Sequence, residues 1–171
     1  MKIIAACLLI FFSIGASIAE TRDAETNFFD LKLGDFQNEL VTAREEGKTG
    51  ILIMFEQVDC PFCLHMKNTI LNQSEVQEYY HQHFLIFPVD IHGSLPMQDF
   101  TGEETTEKAF SAEHNVYGTP TFDFFDLEGK RITRFPGTAK NVNEFMLLGK
   151  CVAEGDCKQI SFAAYKKKQA K

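Results

Sequence analysis

A chain of 171 residues has room for one ordinary domain with a short extension, and a hydrophobic share of 44%, with 17 Phe and no Trp, supplies a real core. The formal charge of −7 is spread over scattered acids, which argues against nucleic acid and anionic membrane surfaces as partners. No repeat or low-complexity segment is present, and the chain is read as a monomer.

Residues 1–19 read as a secretory signal. Lys2 supplies a minimal positive region, Ile3 to Ile14 an apolar stretch, and Ser17-Ile18-Ala19 the small residues of a cleavage site before Glu20. The same run could stay as an uncleaved anchor, although it is short for a span. Cys7 stands too near the start to attach a lipid. Export to the periplasm leaves Cys60, Cys63, Cys151 and Cys157, an even set in a disulfide-permissive compartment, which favours disulfides over metal ligation.

Residues 20–34 read as a polar leader. The domain proper is expected over 35–162, with 163–171 a solvated basic tail. Asp35 to Glu46 predicts a helix with Phe36, Leu40 and Ala43 on one face and Gly47 as its stop. Ile51 to Glu56 predicts a strand covered on both faces, followed by a helix from about Cys60 to Leu71. Ser74 with Gln77 reads as a capping box opening a further helix. Phe84 to Asp90 is a second apolar strand, His92 to Thr105 an irregular loop, and Thr106 to His114 a short helix. Thr121 to Phe125 and Arg131 to Phe135 form a hairpin across Leu127-Glu128-Gly129-Lys130. Asn141 with Glu144 is a second capping box, for a helix carrying Phe145, Leu148 and Val152. The order is α/β, a central mixed sheet with helices on both faces.

Chemistry concentrates in Cys60-Pro61-Phe62-Cys63, where the first strand hands over to a helix. Two cysteines three apart at a helix start can open and close a disulfide within one turn. The helix dipole favours the thiolate of Cys60, making it the exposed nucleophile, with Cys63 deeper. A static disulfide or half a metal site uses the same spacing. A tetrathiolate zinc site, however, wants a second C-x-x-C, and five residues separate Cys151 from Cys157. Those two flank Gly155 at the end of the last helix, as a structural clip or as a second redox pair. The five histidines read as surface or rim residues.

A C-x-x-C after the first core strand, with Gly118-Thr119-Pro120 before the third, resembles the thioredoxin fold. The resemblance implies a cis Pro120 facing the cysteines, with Thr119, Pro120, Pro61 and Phe62 meeting an extended substrate. Phe55-Glu56-Gln57, Val89-Asp90-Ile91 and the run Phe124 to Lys130 look like the exported SoxW-type branch, some of whose members are associated with sulfur oxidation. Met54 and Asp59 depart from ordinary thioredoxin, replacing a buried acid and a Trp. Glu56 and Asp123 are then the candidate proton carriers. With no cation between the cysteines, the expected function is disulfide reduction or mild exchange. It needs no organic cofactor and no metal, and regeneration comes from a membrane thiol-electron donor. The alternatives are an oxidase or isomerase of the DsbA kind, and a non-catalytic chaperone binding copper through Cys60 and Cys63.

Overall fold

The apolar run before the first cysteine lies at the heart of a four-stranded sheet in a computed structural model describing residues 20–31 and 34–170. The signal-segment expectation for residues 1–19 lies outside the described residues. In chain order the strands are β1 (Gly50–Glu56), β2 (Phe84–Asp90), β3 (Pro96–Gln98), β4 (Glu104–Thr106), β5 (Thr121–Phe125) and β6 (Arg131–Pro136). The helices are α1 (Ala24–Asn27), α2 (Phe36–Glu45), α3 (Pro61–Thr69), α4 (Ser74–His83), α5 (Glu107–Glu113), α6 (Val142–Ala153) and α7 (Phe162–Gln169).

The sheet order is β2-β1-β5-β6, with β1 and β2 parallel and the other neighbours antiparallel, so the sheet is mixed as expected. Its two faces bury two separate apolar clusters, which is why β1 reads as an unbroken apolar run rather than an alternating one. Leu52, Met54, Phe122 and Phe124 face one cluster, with Met66, Tyr80, Phe145 and both cysteines of the C-x-x-C. Ile51, Ile53, Phe55 and Phe125 face the other, with Phe36, Leu40 and Phe110. Tyr80 ties the first cluster together: its ring stacks on Phe145 at 4.6 Å and its hydroxyl donates to the Phe145 carbonyl at 2.7 Å. Gly50 is obligatory at the start of β1, because a Cβ there would sit 1.9 Å from the Phe125 carbonyl oxygen.

Four expectations are corrected. Residues 20–31, expected as part of a polar leader, pack on the domain instead. They strap the body, with Phe28 fully buried, the Arg22 amide donating to the Asn72 carbonyl, and Asp30 exchanging bonds with Ile86 on the free edge of β2. Ser74 is not a cap: Gln73 holds that place without a side-chain bond. The strap takes over the work, since the Ser74 amide donates to the Glu20 carbonyl at 2.9 Å and Gln77 donates to the carbonyls of Arg22 and Leu71. The stretch 92–105 is not irregular throughout: with Thr106 it forms the β3–β4 hairpin, turned by Asp99, whose carboxylate accepts from the amides of Thr101 and Glu103. Finally, the basic tail is α7. Phe162 and Tyr165 lie one turn apart and are buried, while Lys166 reaches Glu144 at 2.6 Å.

The second box forms as a shifted version: Asn141 accepts from the Glu144 amide, and the Glu144 carboxylate accepts from the Lys140 amide rather than that of Asn141. Cys151 and Cys157, both buried, are joined by a disulfide between α6 and the turn at Asp156–Lys158. So short a closed loop contributes about 2 kcal/mol on a chain-entropy basis.

Candidate active site

The loop after β1 turns at Asp59, whose φ of +59° places it in the left-handed region that a short polar side chain tolerates. That turn sets Cys60 as the N-cap of α3. Its Sγ accepts from the Cys63 amide at 3.1 Å, and Pro61 takes the first helical position, where its missing N–H is no loss. Cys60 and Cys63 are joined as a disulfide.

Strand register supplies the other half. Phe55 pairs with Thr121, so the residues just before Thr121 arrive beside the end of β1. The Thr119–Pro120 peptide bond is cis, and the Thr119 hydroxyl donates to Cys60 Sγ at 3.2 Å. Cys60 Sγ therefore collects an amide and a hydroxyl donor at the positive end of a helix. Both would strengthen on a thiolate.

The expected contrast in exposure between the cysteines is absent: Cys60 is 4% exposed and Cys63 3%. The N-cap geometry turns Cys60 Sγ inward and Thr119 covers it. Access runs through a cavity of about 240 Å³ lined by both cysteines with Glu56, Asp59, Lys67 and Asp90. Its wall includes the exposed apolar side chains of Val58 and Leu64, and Phe62, between the two cysteines in sequence, is 64% exposed.

Of the two proton carriers expected, only Glu56 reaches this cavity. Asp123 lies on the opposite side of the sheet. Its neighbours Phe122 and Phe124 face the cysteines' cluster, so strand alternation turns Asp123 the other way. There it is fully buried and accepts a two-pronged bond from Arg134 at 2.7 and 2.6 Å, with Arg131 at 3.5 Å.

Lys67 was not anticipated. It lies one turn beyond Cys63 on the same helix face, a spacing that was legible. Its side chain is 11% exposed, and its ammonium donates to Glu56 at 2.5 Å and to Glu25 at 2.6 Å. Burial raises the Glu56 carboxyl above its ordinary range, and Lys67 offsets this only in part. Burial also works against the Lys67 ammonium, but its two carboxylate partners outweigh it and hold Lys67 above its usual value. His114 is not a rim residue either: it packs on Phe110 at 4.4 Å and on Phe125 at 5.2 Å, and burial holds it below its ordinary value.

Residues 36–149 match the family described as the thioredoxin-like domain. The chain belongs to that family. This thioredoxin-like chain is 31% identical over 77 residues to a curated relative, the disulfide bond reductase DsbH of Chlamydia pneumoniae. The match covers 44% of each, so the chain spans less than half the length of that relative. Among solved structures it is similar to a thioredoxin-fold protein from Helicobacter pylori, with a TM-score of 0.62 and 21% identity, covering 72% of this chain and 86% of that one. It is also similar to a DsbH oxidoreductase, with a TM-score of 0.57 and 20% identity over 82% and 94% of the two chains. A thioredoxin from Thermus thermophilus gives 0.55 and 22% over 75% and 95%. These likenesses establish the shared fold. No helix among the described residues is long and apolar enough to cross a membrane.

Proposed function

We propose that this thioredoxin-like protein is an exported thiol–disulfide oxidoreductase that reduces disulfides of envelope proteins through Cys60 and Cys63. The observation that carries the reading is the pair of donors converging on Cys60 Sγ at the start of α3. In the reduced protein, the Cys60 thiolate attacks a client disulfide, forming the Cys60–client bond and releasing one client sulfur as a thiolate. Cys63 then gives up its proton and attacks Cys60 Sγ. The intramolecular disulfide forms, the Cys60–client bond breaks, and the second client sulfur leaves with the electron pair. Two electrons have passed to the client, and a membrane thiol-electron donor restores the pair.

The reducing direction is supported by what surrounds the sulfurs. Pro61 and Phe62 carry no charge, Glu56, Asp59 and Asp90 line the cavity, and the cation lining it, Lys67, is shared between Glu56 and Glu25, so the thiolate is not held strongly enough for a dedicated oxidant. The relative named as a reductase points the same way. The SoxW-type assignment and the periplasmic location rest on the sequence features alone. Catalysed reduction of insulin by dithiothreitol tests the activity. A reduction potential of about −270 mV fits the proposed direction, whereas about −120 mV would belong to an oxidase of the DsbA kind. Tight copper(I) binding without turnover would favour the chaperone instead.

Glu56 is the proposed acceptor of the Cys63 proton, since both line one cavity with room for water between them. A base must be ionised to act. Because burial raises Glu56, the acid limb of the resolving step falls above the ordinary carboxylate range. Glu56→Gln is expected to remove that limb and slow release of the mixed disulfide roughly tenfold or more. Asp123→Asn should leave it in place. Stopped-flow release rates across pH measure both; an unchanged limb in Glu56→Gln rules the assignment out.

A further inference from the structure

The Lys67 ammonium is shared between two carboxylates of unlike standing. Glu56 is a cavity wall, mostly covered, while Glu25 is largely hydrated and comes from α1 on the N-terminal strap. Glu25 is not placed by chance. Asp23 caps its helical turn by accepting from the Thr26 amide, Phe28 anchors the next residues in the core, and the strap is pinned by backbone bonds to Asn72 and Ile86. Beneath the ammonium lies the Phe29 ring of the same strap, 5.3 Å from centroid to nitrogen. The charged groups facing this point come from every surrounding element: Glu25 from α1, Glu56 from β1, Asp90 from β2, Asp59 from the active loop and Lys67 from α3. Three carboxylates and one cation thus line the cavity with the two sulfurs, and the fourth carboxylate, Glu25, bears on it through Lys67.

We propose that Glu25 is a positioning residue for the exchange site: through Lys67, the N-terminal strap sets how much positive charge reaches Glu56 and the two sulfurs. The consequence for catalysis rests on the proposed exchange function; the charge linkage does not. A cation divided between two acids neutralises each incompletely. With Glu25 removed, Lys67 is committed to Glu56 and the cavity becomes one charge more positive, which favours ionised carboxyl and ionised thiol together. With Lys67 removed, the cavity becomes one charge more negative and both ionisations are opposed. The two substitutions therefore act in opposite directions, a signature that mere loosening of the strap would not produce.

The test is the pH dependence of Cys60 alkylation by iodoacetamide in the full chain reduced with dithiothreitol. The thiol proton goes to solvent, a carbon–sulfur bond forms and iodide leaves, so no client is needed. Glu25→Gln is expected to lower the midpoint by about half a pH unit, and Lys67→Gln to raise it by about one. Lys67→Arg, which keeps the charge, should hold the wild-type midpoint and guards against a folding defect in the Gln variant. An unmoved or raised midpoint in Glu25→Gln overturns the proposal, as does a shift of both variants in the same direction. Insulin reduction by the unmodified protein is read in parallel. If it is absent while the opposed shifts remain, the exchange function fails and the linkage stands; if turnover is present and the shifts are not, the linkage fails alone.

Discussion

Serine at position 60 is expected to drop insulin reduction to the uncatalysed rate, while serine at position 63 leaves a client covalently attached. The first variant is clean for a structural reason. Cys60 is the N-cap of α3, and its Sγ accepts from the Cys63 amide. Serine is among the best residues for that place, so Cys60→Ser keeps the helix start and removes only the proposed nucleophile. Cys63→Ser removes the group proposed to break the mixed disulfide, so adducts through Cys60 are expected to accumulate and run as higher-mass species on a non-reducing gel. Exposure does not decide which cysteine attacks, since both are covered to the same degree. The decision rests on the donors from Thr119 and the Cys63 amide converging on Cys60. Adducts that build up in Cys60→Ser and not in Cys63→Ser would reverse the roles assigned here.

How far the sequence discloses this arrangement depends on the range of the interaction. The strands at 51–56, 84–90 and 121–125 are short, mostly apolar runs bounded by turn residues, and their limits are legible because burial on both faces leaves few polar positions to blur them. The same double burial hides sidedness. Asp123 interrupts a run of phenylalanines, but alternation says only that it opposes Phe122 and Phe124, not which of them faces the cysteines. The C-x-x-C and the Thr119-Pro120 step are local signals, and strand register then joins them. Lys67 was within reach, one turn past Cys63. Its bond to Glu25 was not, because it spans 42 positions and depends on a strap whose polar composition resembles a leader. The misread tail has a similar cause: four lysines among the last residues mask the helical spacing of Phe162 and Tyr165.

The largest stability loss is expected away from the cysteines, at Arg134→Met. Arg134 grips the fully buried Asp123 with two parallel bonds, and its remaining donors reach the carbonyls of His114 and Asn115 at the end of α5. One side chain thus fastens β6 and β5 to the helix on the second face of the sheet. Its removal leaves the carboxylate with Arg131 at 3.5 Å, takes the Arg134 donor from the Asn115 carbonyl, and leaves the His114 carbonyl with Arg131 at 3.4 Å. Breaking a buried pair from one side costs about 3–5 kcal/mol, much of it the penalty of the ion left behind. The double variant Asp123→Leu with Arg134→Met removes that ion, and should recover most of the loss. Urea unfolding measures both. Because Asp123 and the cysteines lie on opposite faces of the sheet, Cys60 alkylation should keep its wild-type midpoint in the folded variants. A loss under about 1 kcal/mol would overturn the buried-pair reading, and a shifted midpoint with stability intact would mean that Asp123 serves the sulfur chemistry after all.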